Sequence, residues 1–146
     1  MEMRRTHANL SEETLGVRDR RRDQVDLLRR RLNLLDGREK VMMTMYLENG
    51  ISFRQIARLL GVSETSVARR IHRLTKRLTD GEYIVCMRNR DKLTERQMLI
   101  AKDYFLTGLS MSRIAEERRW SLYKVCLTVR QIRRIIAEVK ERSELS

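Results

Sequence analysis

Proline is absent from the 146 residues, and only 5% of them are aromatic. Proline is the strongest helix breaker, so a chain without it meets no obligatory break in a helix. Together the two shortages lean toward an all-α protein. Cysteine occurs only as Cys86 and Cys126, far apart and without metal-ligand spacing. That excludes a disulfide framework and a zinc knuckle, and leads to the expectation of reduced thiols and a cytoplasmic location. No apolar run approaches the ~18 residues of a membrane span, and "MEMRRTHANLSEET" has no signal-peptide core. No membrane partner is expected. Two distant histidines, no nucleophile motif and no glycine-rich phosphate loop argue against an enzyme, and no cofactor is expected.

What the chain does have is positive charge. Lys and Arg number 32 against 20 Asp and Glu, a formal net charge of +12. Such an excess favours a polyanionic partner, nucleic acid before an acidic membrane surface.

The sequence also repeats. Displaced by 58 residues, nine of the 44 positions from Leu35 to Leu78 meet an identical residue without a gap. Tyr46 and Tyr104, Gly50 and Gly108, Ser52 and Ser110, Ile56 and Ile114, Ala57 and Ala115 are among the pairs. Similarity at a fixed offset implies two copies of one structural unit. Each copy reads as three helices. In copy one, Asp36 stands as an N-cap with Glu39 at capping-box spacing, matched in copy two by Thr94 and Gln97. Gly50 and Gly108 end the first helices, and Ser52 and Ser110 cap the second. Ahead of copy one, Val25, Leu28, Leu32 and Leu35 recur at helical spacing, the stripe of a lead-in helix that packs on copy one or on a partner chain. The expected architecture is all-α: two tandem three-helix units, each containing a helix-turn-helix, preceded by a lead-in helix. The expected boundaries are a loose segment 1–18, a first domain 19–81, a connector 82–92 and a second domain 93–146. "YIVCM" from Tyr83 to Met87 is short enough to be either a brief strand or a buried connector.

"ISFRQIARLLGVSETSVARRIHRLTKRL", from Ile51 to Leu78, carries the function. Two short helical patterns meet at Gly61, where a steep crossing needs positive φ, and Ser63 caps the next helix. Val67, Ile71, Leu74 and Leu78 repeat at i, i+4, i+7 and i+11, an inward stripe. The opposite side collects Thr65, Arg69, His72, Arg73 and Lys76, with Ser66 beside them. From Ser63 to Leu78 there are five Lys or Arg and one acid, a local balance of +4. A helix entering the major groove needs short polar groups at its N-terminal end to reach base edges and longer cations beyond to hold phosphates. Glu64, Thr65, Ser66 and Arg69 suit the first role, and Arg73, Lys76 and Arg77 the second. Ser63, Arg70 and His72 complete the expected DNA-contacting set. A solvated basic face is the plainer account of any one such helix; here glycine turn, caps and charge polarity agree. His72 reads as a surface or phosphate-contacting residue, because no second metal ligand lies at suitable spacing. Met42, Met43 and Met45 read as core filler.

Leu35 to Leu78 resembles region four of bacterial sigma factors, the helix-turn-helix part that recognises the upstream promoter element. "REKVMMTMYLENGISFRQIARLLGVSETSV" carries the resemblance over about a third of the chain. The resemblance implies that Thr65, Ser66, Arg69 and Arg73 take promoter-reading positions, and that RNA polymerase is a partner alongside double-stranded DNA. The sequence has no counterpart of the aromatic-rich segment that melts promoters, so a complete, autonomous sigma factor is not expected.

Copy two departs at the turn. "IAEERRWSLYKV" replaces Leu60, Gly61 and Val62 with Arg118, Arg119 and Trp120. Either Arg119 bears a positive φ or the turn has relaxed. Arg69 becomes Leu127, yet Ser121 to Ile136 keeps four Lys or Arg and no acid. Tyr123, Lys124, Arg130 and Arg134 are the candidates for an ancillary, phosphate-based DNA contact; a packing or dimerising role for copy two is the alternative. A homodimer through the lead-in helix or copy two stays open. The leading functional expectation is a sequence-specific DNA-binding transcription regulator. A module that binds RNA polymerase or a sigma partner with weak DNA contact is the runner-up. An RNA binder is disfavoured by the shortage of aromatics for stacking on bases.

Overall fold

A computed structural model describes residues 12–145, with side chains from Val17 onward. Every described element is helical. Helix α1 spans Glu12–Arg31 and runs into a 3-10 turn, Leu32–Leu34. It begins inside the segment expected to be loose, since "EETLGVRDRRRDQ" contains only one glycine and no proline to stop it. The rest of that segment, residues 1–11, lies outside the described residues. Copy one comprises α2 (Gly37–Leu47), α3 (Phe53–Leu60) and α4 (Glu64–Asp80). Copy two comprises α6 (Glu95–Ala101), prolonged by a π-helical segment Lys102–Leu106, then α7 (Met111–Arg118) and α8 (Leu122–Leu145).

The stretch left open as strand or connector is a helix, α5 (Glu82–Arg88), with Tyr83, Ile84 and Cys86 buried. It packs against α4 on one side and against α6, the π segment and α8 on the other. It therefore lets one apolar cluster run from Leu28 in α1 to Ile136 in α8. Met42 and Met43 are core, as expected, with Met45 partly buried against it, and Leu28, Leu32 and Leu35 are buried. Burial removes these three leucines from the surface, so they pack on copy one rather than on a partner chain.

The 58-residue repeat persists in individual hydrogen bonds. The N–H of Ile51 donates to Met45 O and that of Leu109 to Asp103 O, both at 3.0 Å. Ser52 and Thr94 each complete a capping box, with Gln55 and Gln97. Asp36 does not: its side chain makes no cap bond and its carboxylate reaches Lys102 Nζ at 3.0 Å instead. Glu39 is correspondingly free to turn elsewhere.

Both turns have the same conformation. Gly61 has φ 68° and ψ 35°, and Arg119 has φ 56° and ψ 41°. The carbonyl of Ala57 accepts from Gly61 and Val62, and that of Ala115 accepts from Arg119 and Trp120. The turn in copy two has not relaxed; a left-handed arginine costs about 1 kcal/mol and is held there by its surroundings. One part of those surroundings is coupled. Where copy one has Met45 and Leu60, copy two has Asp103 and Arg118, a bidentate pair with bonds of 2.5 and 3.1 Å. Trp120 fills the corner held by Val62, with Lys124 Nζ 4.7 Å from its ring centre.

Two stability changes follow. Arg119→Gly should raise stability by about 0.5 kcal/mol or less, the left-handed strain less the extra freedom of glycine in the unfolded chain. Gly61→Ala should lower it by about 1 kcal/mol through φ alone, because an added Cβ would meet nothing within 4 Å. Urea titration of both variants reads the opposite signs. Equal signs would mean that the two turns are not held alike.

Candidate nucleic-acid interface

Helix α4 is fixed at three levels. Its start is set by Ser63, whose hydroxyl accepts from the Ser66 N–H at 3.1 Å. Its inner side is set by Val67, Ile71, Leu74 and Leu78, all buried. Its end is set from outside, by the Arg31 guanidinium of α1, which donates to the carbonyls of Leu78 and Thr79. Cations at a helix C-terminus satisfy carbonyls that have no intrahelical partner and oppose the negative end of the dipole. Arg29 does the same for α2, donating to Leu47 O at 3.1 Å.

With its inner side and both ends fixed, the outer side of α4 faces solvent. Ser63, Glu64, Thr65, Arg69, Arg70, His72, Arg73 and Lys76 are exposed, and Ser66 is half-buried at the N-terminal turn. Neither Arg69 nor Arg73 is covered by another element. The His72 ring meets Phe53 edge-on at 6.1 Å, which fixes it at the flank next to α3 rather than at the centre of the outer side. No group of three metal-ligating side chains occurs among the described residues.

Arg77 belongs elsewhere. It was a candidate phosphate contact, but it is half-buried and donates to Leu106 O at 3.1 Å across the junction between the copies. Its guanidinium lies so close to Gly108 that a Cβ there would stand 2.7 Å from Nη1 and Nη2. At 100° per residue Arg77 sits on the flank of α4, turned toward copy two. It is a structural clasp between the units.

Glu39 was read as a capping residue; it instead lies beside the basic flank of α4. Burial pushes its carboxyl up from the usual carboxylate range, while Arg77, Arg70 and Arg73 pull it back down. A half-buried carboxylate there reduces the positive potential that a phosphate approaching Arg70 or Arg73 would feel. No sequence spacing could reveal this, because the neighbours lie on another helix more than 30 residues away.

In copy two, the outer side of α8 presents Tyr123, 76% exposed, with Leu127, Arg130 and Arg134 following at helical spacing, all exposed. Lys124 is half-buried over the Trp120 ring, so its ammonium is engaged within the turn. Arg133 likewise stacks on Tyr104 and donates to its hydroxyl at 3.1 Å. The outward cations of copy two are therefore Arg130 and Arg134, in the positions that His72 and Lys76 hold in copy one.

Residues 26–78 match the family model for Sigma-70, region 4. The matched segment takes in the end of α1 and all of α2, α3 and most of α4, and stops before copy two. No curated protein and no solved structure matches the chain. The matched segment is a helix-turn-helix similar to sigma region four, a DNA-binding type of domain. Among the described residues no helix is long and apolar enough to cross a membrane.

Replacing Glu39 by Gln should tighten duplex binding about two- to fivefold at low salt, a gain of ~0.4–1 kcal/mol that shrinks as salt screens the flank. The sign with pH is definite. As pH falls through the raised titration of Glu39, the wild-type carboxyl becomes neutral and the two proteins converge. Fluorescence anisotropy across that range measures it; a difference independent of pH and salt would place Glu39 outside the field of the duplex.

Proposed function

We propose that the chain is a sequence-specific DNA-binding transcription regulator whose helix α4 reads the major groove as a region-four-like unit, with copy two as an ancillary contact. The observation that carries this reading is the outer side of α4: Thr65, Arg69 and Lys76 are exposed, and their side chains make no hydrogen bond or ion pair among the described residues. The base-reading set is Ser63, Glu64, Thr65, Ser66 and Arg69, with Arg70, Arg73 and Lys76 on phosphates and His72 at the edge toward α3. Arginine forms two-pronged hydrogen bonds to guanine, which gives Arg69 the largest share of discrimination. Arg130 and Arg134 hold backbone phosphates; Tyr123 and Leu127 offer apolar surface to the groove, the kind that meets thymine methyl groups. The two units, 19–81 and 93–146, act as one body across the connector 82–92, because Arg77, Asp36 and Lys102 bind them together.

A second reading, a module that docks on RNA polymerase or a sigma partner with weak DNA contact, draws on the other side of copy one. There Leu59 is 64% exposed beside Ile51, Gln55 and Arg58 in a cleft of about 320 Å³.

Selection of bound duplexes from a random pool supplies the target. On it, Arg69→Ala should cost about 1–3 kcal/mol and relax the sequence preference, whereas Lys76→Ala should weaken all duplexes alike and lower the salt slope by about one. Arg130→Ala with Arg134→Ala should lower that slope by about two without altering preference. Equal binding to every duplex, indifferent to Arg69, would move the assignment to the polymerase-docking reading.

A further inference from the structure

Helix α5 carries a surface that duplex recognition does not use. Met87 stands exposed on its outer side and, with Leu34 and the buried Ile84 beneath it, lines a cleft of about 350 Å³ that also takes in Arg30, Arg31 and Arg88. Met87 also lines an adjoining cleft of about 290 Å³, floored by Tyr83, Met98 and Leu99 and rimmed by Arg90, Glu95 and Lys102. The two clefts adjoin at Met87, and basic side chains line both parts of this trough. Met87 and Leu99 are exposed in it. Single exposed apolar side chains are ordinary on a soluble protein; contiguous ones at the bottom of a rimmed groove are an interaction surface.

The rim is under-neutralised. Arg31 is anchored on the Leu78 and Thr79 carbonyls and Lys102 on Asp36. Arg30, Arg88 and Arg90 are not engaged in an ion pair among the described residues, and Glu95 is the one acid lining either cleft. Burial and the neighbouring guanidiniums of Arg88 and Arg30 push the Arg31 pKa down, a sign that these cations repel one another. A phosphate backbone would relieve the charge but has nothing to place on an apolar floor. The trough also lies at the C-terminal end of α4, about 20 Å along that helix from Thr65 at 1.5 Å per residue. The occupant that answers both features presents apolar side chains in a row and carboxylates to either side. Methionine suits such a floor, because its flexible thioether adapts to whichever apolar residue enters.

We propose that the trough along α5 docks an acidic amphipathic helix of a partner protein, with its apolar stripe on Met87 and Leu99 and its carboxylates on Arg30, Arg88 and Arg90. This is helix-in-groove recognition, with the charged rim setting orientation and encounter rate. It does not rest on the duplex reading, since none of these residues belongs to the outer side of α4.

The probe is a fluorescein-labelled helical peptide of about 18 residues, five turns long, with Leu along one side and Glu on both flanks. Two controls carry Lys for every Glu, or Ser for every Leu. Anisotropy with the full chain at about 0.15 M salt should show saturable binding of the Glu/Leu peptide alone. Met87→Glu and, separately, Arg88→Glu should each weaken it about tenfold or more, while Arg69→Ala leaves it unchanged. Arg88 is exposed, so its variant tests the surface even if Met87→Glu perturbs packing; thermal melts report on both folds. Three results overturn the proposal. One is Glu/Ser binding as tight as Glu/Leu binding, which makes the rim a charge sink. Another is peptide binding unchanged by both substitutions. The third is equal weakening of duplex and peptide by Met87→Glu, which makes the trough part of the DNA contact.

Discussion

The left-handed residue between the second and third helices of each unit is the constraint on which the rest depends. It sets the crossing of α3 over α4, and thereby decides which side of α4 meets the core and which side meets solvent. The Ala57 and Ala115 carbonyls each take two N–H donors at that corner, so the turn is hydrogen-bonded as well as sterically defined. Copy two keeps the geometry although arginine replaces glycine. The strain of about 1 kcal/mol is small beside the apolar burial of Ile114, Val125, Val129 and Ile132, at about 1.5–3 kcal/mol for each large side chain. The turn is conserved by packing even where the residue best suited to it is gone.

Positive charge in this chain does more than one job. Arg29, Arg31 and Arg77 donate to carbonyls at the ends of α2, α4 and the π segment. Lys124 and Arg133 lie over aromatic rings, and Arg118 is held by Asp103. Charge counting alone overstates what a polyanion can use. Among the residues left over, besides Arg130 and Arg134 on α8, two fields stand apart: the outer side of α4, polar and mostly cationic, and the rim along α5, cationic around an apolar floor. A phosphate backbone fits the first and an acidic amphipathic helix the second.

Joining the two units changes what the first can do. Arg77 against Gly108 and Lys102 on Asp36 span the junction, and α5 supplies apolar side chains to both sides of it. Two helix-turn-helix units on a flexible tether would sample many separations along a duplex. Units that share a core hold one separation, so the proposed contact of copy two would fall at a fixed spacing from that of copy one.

The sequence by itself determined the elements and the outer side of α4. Caps such as Ser52 with Gln55 and Ser63 with the Ser66 N–H act over three residues, and the Val67 to Leu78 stripe follows from the 3.6-residue period. Both are local, so both are readable in one dimension. Tertiary structure alone decided which candidate side chains are free. Arg77 meets a carbonyl 29 residues away, Arg31 one 47 residues away, and Lys102 a carboxylate 66 residues away. It also decided that "YIVCM" is helical: buried on two sides between the copies, its backbone must satisfy its own hydrogen bonds, and with no neighbouring strand to pair with, a helix does so.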